Sequence, residues 1–143
     1  MLTGDKVETA INIGLACKLL DAEMNKFILQ EAKTDRIMGE LEKLLAKQAE
    51  SIDDETANGV IVTGDCLLRI FLHHNLKEKF ELLCEHADVV LACRVSPKQK
   101  AELVDMVKSR NPNKNTLAIG DGANDVNMIV AAHIGVGISG HEG

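Results

Sequence analysis

Two carboxylates stand four residues apart in the stretch LAIGDGANDVNMI, residues 117–129. Asp121 follows an apolar run, and Asp125 lies about one helical turn further on. Paired carboxylates in a loop suit a hard cation such as Mg²⁺, which takes oxygen ligands and retains several waters. Gly122 lets the backbone pass close to a phosphate or metal, and the Asn124 amide can donate to a phosphate oxygen. The stretch predicts a magnesium and phosphate site, with a plain strand-to-helix turn as the alternative.

A hydroxyl and a lysine occupy two other places that suit phosphate. The stretch LTGDKVETA, residues 2–10, combines the Thr3 hydroxyl, the Gly4 N–H and the start of a predicted helix. Lys100 falls in the first helical turn after a Ser-Pro pair, where a cation can offset phosphoryl charge. Taken separately, the first stretch can be a helix cap and the lysine a solvated surface charge. Together with the acid pair they form the arrangement that holds and transfers a phosphoryl group with Mg²⁺, so we expect all three to converge in one cleft.

Strands alternate with helices along the chain and must position these groups. The pattern predicts helices over residues 6–20, 34–49, 76–86, 97–110 and 123–133. Thr34 is the predicted cap of the second of these helices. Ser96 is the predicted cap of the fourth, with Pro97 in its first position. Strands are predicted at residues 26–30 and in VIVTG, DVVLACRV, TLAIG and IGVGI. This alternation implies an α/β fold with parallel strands, and the continuous apolar strands imply that both faces of the sheet are covered. Ligands of such sheets bind beyond the carboxyl ends of the strands, where TGDK and GDGANDV both fall.

Length and composition narrow the class of protein. The 143 residues are one domain's worth of chain, and the net charge of -6 with three Phe, no Tyr and no Trp argues against nucleic acid as a partner. No apolar run approaches the roughly 18 residues that cross a bilayer, and the N-terminus does not look like a signal peptide, so the chain itself is expected to be soluble.

Cysteines and histidines show no spacing that suggests a metal site. The cysteines are far apart, so we expect reduced, mostly buried thiols in a cytosolic setting. The five histidines share no face or ligand spacing, and none is predicted to bind a metal. The residues concerned are Cys17, Cys66, Cys84, Cys93, His73, His74, His86, His133 and His141.

Three motifs resemble a known family. TGDKVETAINIG, CRVSPKQKAELVDMVK and LAIGDGANDVNMI resemble motifs of the phosphorylation domain of P-type ATPases, a branch of the haloacid dehalogenase superfamily. The ending AAHIGVGISGHEG and the SPKQK form resemble the phospholipid-flippase subgroup. The resemblance covers roughly residues 1–29 and 60–143, and residues 30–59, a helix plus an acidic loop, look like a variable insertion. It implies that residues 1–143 are the carboxyl-terminal part of such a domain, a Rossmann-like parallel sheet with helices on both faces.

The resemblance also implies roles for residues that would contact the nucleotide. Thr3 and Gly4 would contact the phosphoryl group or ATP, with Asp5 beside them. Arg94 of CRVSP would approach the nucleotide, and Lys100 would neutralise phosphoryl charge.

For the metal, the resemblance implies Asp121 as the principal Mg²⁺ ligand, with Asp125 in or next to the metal shell and Asn124 on phosphate. The cofactors implied are Mg²⁺ and ATP, and the catalytic groups in this chain are the Thr3 hydroxyl, Lys100 and Asp121. The parent protein would be a multi-pass membrane protein that couples ATP hydrolysis to the movement of phospholipid between leaflets. This segment would lie on the cytosolic side, with the remaining flippase domains and a small membrane-spanning accessory subunit as partners.

The phosphorylated aspartate of the family lies in a DKTGT motif, which this chain lacks. We therefore expect the sheet to be incomplete, without its nucleophile strand, and the isolated chain to be inactive. A second TGD, residues 63–65, is interpreted as a structural turn because no KxETAxxIG helix follows it. Two alternatives remain open: part of a cation-pumping P-type ATPase or other haloacid dehalogenase-like phosphatase, and a non-catalytic truncated product that acts only by binding.

Overall fold

The chain divides into two compact units. The computed structural model describes residues 1–140, of which Met1–Arg94 form unit 1, and unit 2 begins at Val95. His141 and the last residues of the GVGISGHEG ending lie outside the described residues.

A parallel sheet forms the centre of unit 1. Its strands β1 (Asn25–Leu29), β2 (Asn58–Thr63) and β3 (Val89–Cys93) lie in the order β1-β2-β3. The opening residues extend this sheet, because Leu2 forms a parallel bridge with Ala92 and the Thr3 N–H donates to the Ala92 carbonyl oxygen at 2.9 Å. The TGD loop therefore begins at the carboxyl end of the sheet, next to the end of β3.

Helices cover both faces of this sheet. They are α1 (Val7–Ala16), α2 (Thr34–Glu50), α3 (Gly64–Leu72) and α4 (His74–Glu85), with a 3₁₀ turn at Ile52–Asp54. Ala10 of α1 packs in one apolar cluster with Ile61 and Leu91 of the sheet. Because side chains alternate along a strand, Val60 and Val62 face the opposite side, where α2 and α3 contact β1 and β2 and pack against α4. Helices on both faces are thus confirmed for unit 1.

The first helix ends four residues earlier than predicted. The sequence pattern extended it to Leu20, but α1 stops at Ala16, and Lys18 adopts a left-handed backbone with φ 62°. The turn lets the Leu20 N–H donate to the Gly14 carbonyl oxygen at 2.9 Å, and the Leu20 side chain is 1% exposed. Burial of Leu20 over Gly14 overrides the helical periodicity.

One predicted helix cap was wrong, and one predicted turn is shorter than expected. Thr34 is the first residue of α2 rather than its cap, and the cap position is Lys33, whose side chain makes no capping hydrogen bond. The structural role predicted for the second TGD is confirmed, but no separate turn intervenes, because Thr63 ends β2 and caps α3 directly. The Thr63 Oγ1 accepts a hydrogen bond from the Cys66 N–H at 3.4 Å, so Gly64 and Asp65 form the first helical turn.

Unit 2 holds a second parallel pair of strands. Its elements are α5 (Pro97–Arg110), β4 (Leu117–Gly120), a 3₁₀ turn at Ala123–Asp125, α6 (Val126–Ala131) and β5 (Ile134–Gly137). Strands β4 and β5 pair in parallel, and α6 packs against both strands and against α5. The α5 prediction is confirmed at both ends: Ser96 caps the helix in a reciprocal pair with Gln99, and Pro97 is in the first turn.

The prediction that both faces of the sheet are covered was wrong for the last two strands. All of β5 is exposed, and Leu117 and Ile119 of β4 are also exposed. Cross-strand partners Ile134 and Val136 join them to form an apolar face. Among the described residues of unit 2, α5 and α6 leave this face uncovered. The α/β class and the parallel pairing are nevertheless confirmed in both units, whereas a missing nucleophile strand stays a prediction.

We expect Gly135→Ala to destabilise unit 2. A Cβ at this position would lie 2.5 Å from both the carbonyl oxygen and Cγ2 of Ile129, so the α6 backbone would have to move, at a cost of about 1–3 kcal/mol. Gly137→Ala on the same strand is the matched control, because its Cβ would meet nothing within 4 Å. Urea unfolding followed by circular dichroism checks this; equal midpoints for the two variants would contradict it.

Candidate functional site

The carboxylate of Asp125 organises the loop that follows β4. Its Oδ2 accepts hydrogen bonds from the N–H groups of Asp121 at 3.1 Å and Gly122 at 3.3 Å. Its Oδ1 accepts from Nζ of Lys100 at 2.7 Å. Asp125 and Lys100 are each only 8% exposed. One buried carboxylate thus ties the strand end, the glycine turn and α5 together within unit 2.

The position of Lys100 follows from the start of α5. The Ser96 hydroxyl accepts from the Gln99 N–H at 3.2 Å, and the Gln99 side chain accepts from the Ser96 N–H at 3.0 Å. This reciprocal cap holds the first turn, from which Lys100 reaches Asp125. Lys100 was predicted in this first helical turn as a cation that offsets phosphoryl charge, and in the structure its ammonium group meets the carboxylate of Asp125.

The ion pair shifts the acid–base behaviour of Asp125. The hydrogen bond from Lys100 lowers the pKa of this carboxyl below its ordinary value of 3.8, and the backbone N–H groups of Asp121 and Gly122 lower it further. Burial acts in the opposite direction, because desolvation disfavours the charged form. The net lowering keeps Asp125 ionised at neutral pH.

Gly120 allows the loop to close on Asp125, a role that the sequence analysis missed. A Cβ at position 120 would overlap Cβ of Asp125 and lie 2.8 Å from its Cγ. Any larger residue would push the carboxylate away from the backbone N–H groups that it accepts from. The signal was present in the sequence as a glycine directly before Asp-Gly, but it indicated only a turn.

Asp121 and Asn124 are exposed beside this buried pair. A Mg²⁺ ion is commonly held by one or two carboxylates together with substrate phosphate and water. The exposed Asp121 carboxylate fits such a ligand. The Asp125 oxygens already accept three hydrogen bonds, which fits a place next to the metal shell better than direct ligation. Over residues 1–140, no cluster of three or more His, Cys, Asp or Glu side chains could hold a metal by itself.

The TGD loop and Arg94 lie together in unit 1. The Thr3 Oγ1 accepts from the Asp5 N–H at 3.1 Å, and the Asp5 carbonyl oxygen accepts from the Arg94 N–H at 3.1 Å. Arg94 has a left-handed backbone with φ 52°, which is uncommon for a residue other than glycine. Gly4 is exposed between these contacts. The loop predicted to contact the phosphoryl group thus neighbours the arginine predicted to approach the nucleotide.

The candidate residues therefore form two groups. Thr3, Gly4, Asp5 and Arg94 belong to unit 1, and the Lys100–Asp125 pair and the loop after β4 belong to unit 2. The convergence of both groups on one phosphate stays a prediction.

The prediction of mostly buried thiols is confirmed, with one exception. Cys66 and Cys93 are buried and Cys84 is half-buried, but Cys17 is exposed, because it follows the early end of α1. Burial raises the pKa of both Cys66 and Cys84 to about 12, so these two thiols stay protonated and unreactive at neutral pH.

The chain is similar in sequence to segments of proteins named phospholipid-transporting ATPases. No family model matches it. Over its full length it is 46% identical to a segment of phospholipid-transporting ATPase C887.12 of Schizosaccharomyces pombe, and 44% identical to one of phospholipid-transporting ATPase DRS2 of Saccharomyces cerevisiae. It is 41% identical to a segment of phospholipid-transporting ATPase DNF1 of Chaetomium thermophilum. The chain spans only 10–11% of the length of these relatives. No helix within residues 1–140 is both long and apolar enough to span a bilayer.

We expect Asp125→Asn to destabilise unit 2 by about 3 kcal/mol, because it leaves the Lys100 ammonium buried without its counter-ion. The difference in unfolding free energy between the variant and the unchanged chain should have its full size at pH values well above 3.8. It should shrink as the pH falls through the lowered pKa of Asp125, where the native carboxylate also loses its charge.

Denaturant unfolding from pH 7 down to pH 3 checks this expectation. Asp105→Asn, on the exposed side of α5, is the matched control and should change stability by less than about 0.5 kcal/mol. A pH-independent difference for Asp125→Asn, or equal effects of the two substitutions, would contradict the assigned role of the ion pair.

Proposed function

We propose that the chain is the part of a phosphorylation domain, in a phospholipid-transporting P-type ATPase, that holds the phosphoryl group, the nucleotide and Mg²⁺. The observation that carries the proposal is the buried Lys100–Asp125 pair, which orders the loop after β4 and leaves the Asp121 carboxylate exposed. The similarity to phospholipid-transporting ATPases, which extends over all 143 residues of this chain, supports the same assignment. It also favours a lipid transporter over a cation pump or a free-standing phosphatase.

In this proposal Asp121 binds Mg²⁺, and Asn124 donates to a phosphate oxygen. Bound Mg²⁺ would supply positive charge against the phosphate oxygens. Asp125 does not need to reach the metal: it orients the Asp121 backbone and holds Lys100 in place. Lys100 then adds positive charge next to the phosphoryl group.

Unit 1 supplies the second set of contacts. The Thr3 hydroxyl and the Gly4 N–H would donate to the phosphoryl group or to ATP, with Asp5 beside them. Arg94 is held against this loop by its backbone N–H and would contact the nucleotide.

The rest of the activity would belong to the longer parent protein. There, an aspartate outside these 143 residues would take the γ-phosphate of ATP, and membrane helices would select and move the phospholipid. This segment would work on the cytosolic side, and its partners would be the remaining domains and a small membrane-spanning accessory subunit. A truncated product that only binds a partner is the competing interpretation.

A grafting experiment tests the proposal. We expect a DRS2 protein whose matching segment is replaced by this chain to retain ATP-dependent phospholipid transport in vesicles. Asp121→Asn in the graft should reduce the rate at least about 100-fold, since it removes the carboxylate that would hold the metal. Asp105→Asn should leave it unchanged. A graft that folds and inserts but is inactive without any substitution, or one that is indifferent to Asp121→Asn, would contradict the proposal.

We further expect the isolated chain to remain unphosphorylated. Incubated with Mg²⁺ and γ-labelled ATP, it should give no acid-stable, hydroxylamine-sensitive product, because none of its aspartates lies in a DKTGT motif. The grafted transporter, treated in parallel, should give one. Such an adduct on the isolated chain would mean that one of its own carboxylates is the nucleophile.

A further inference from the structure

A polar cleft of about 480 Å³ opens at the carboxyl ends of all three strands of unit 1. Gln30 follows β1, Thr63 ends β2, and Arg94 follows β3, so each strand contributes one lining residue. Lys6 and Asp65 line it as well. In open parallel sheets this end is where ligands bind, and the volume lies in the range of small-molecule sites.

One part of the lining is suited to phosphate. Lys6 stands at the N-terminal cap position of α1 and makes no side-chain capping bond there. Lys6 and Arg94 belong to none of the ion pairs found among residues 1–140. Both cations are therefore available to an anionic group in the cleft.

The other part of the lining is suited to hydroxyl groups. Asp65 stands in the first turn of α3, directly after β2, and is exposed to the cleft. Together with Glu8 it adds negative charge, which disfavours a ligand made only of phosphate. An acidic side chain just beyond a strand end is a frequent acceptor for ribose hydroxyls in nucleotide-binding α/β proteins. The lining thus matches a ligand that is anionic at one end and rich in hydroxyl groups at the other.

We propose that this cleft binds the ribose and adjoining phosphate of the nucleotide, with Asp65 of the second TGD accepting from the ribose hydroxyls. Arg94 and Lys6 bind the phosphate, and the Gln30 amide lies on the far side of the cleft at the end of β1. The inference rests on the proposed function, because it assumes that this segment contacts ATP. It assigns a specificity-determining role to a motif that otherwise only starts a helix.

The test compares nucleotides that differ only in the sugar. We expect the 143-residue chain to bind Mg-ATP about tenfold more tightly than Mg-2′,3′-dideoxy-ATP in titrations followed by NMR, since hydrogen bonds from a hydroxyl to a carboxylate are lost in the analogue. Asp65→Asn should reduce this ratio to about two. It should not weaken binding of inorganic tripolyphosphate, because it removes negative charge from the cleft. Arg94→Ala should weaken both ATP and tripolyphosphate.

Asp53→Asn is the matched control, because Asp53 is exposed in the 3₁₀ turn and does not line the cleft. Amide spectra of each variant verify that unit 1 remains folded. If ATP binds but the sugar preference is absent, or survives in Asp65→Asn, the role of Asp65 is overturned while the proposed function stands. If no nucleotide binds at up to 10-millimolar concentration, on the order of the weakest specific affinities, both are overturned.

Discussion

The buried ion pair between Lys100 and Asp125 is the interaction on which the arrangement of unit 2 depends. Neither charge is tolerable in the interior without the other, because removing one partner leaves an uncompensated charge away from water. The same carboxylate accepts from two backbone N–H groups of the loop, so the position of Asp121 follows from the position of Asp125. Gly120 is part of this constraint, since only a hydrogen side chain lets the carboxylate approach.

A comparable constraint in unit 1 is made by backbone pairing rather than by charge. The bridge between Leu2 and Ala92 aligns the first residues with β3, and this alignment brings the TGD loop to the carboxyl end of the sheet. Arg94 adopts a left-handed backbone conformation at the same place, and its backbone N–H donates to the Asp5 carbonyl oxygen. Strained backbone of this kind is found where function requires a side chain in a particular direction. The polar cleft beside it is built from the same strand ends.

Sequence patterns predicted elements well where local chemistry decides the conformation. Helix α5 has a Ser cap, a Pro in its first turn and basic residues at its end, and its predicted limits match the structure. The end of α1 was missed because burial of Leu20 over Gly14 depends on a contact with the rest of the fold. The exposure of β5 was missed because an apolar strand looks the same in a sequence whether or not another element covers it.

The residue types at the candidate site, their order along the chain and their positions after strands were all determined by the sequence, because these follow from local periodicity and from the motifs themselves. Which groups meet was decided by tertiary structure. The sequence contained Lys100 and Asp125 as separate candidates, 25 residues apart, and only the packing of α5 against α6 made them one buried pair. The same holds for Asp65, which the sequence indicated as a turn residue and the sheet places in a cleft with Arg94. Long-range contacts of this kind depend on how helices pack on a sheet, and no local pattern encodes that geometry.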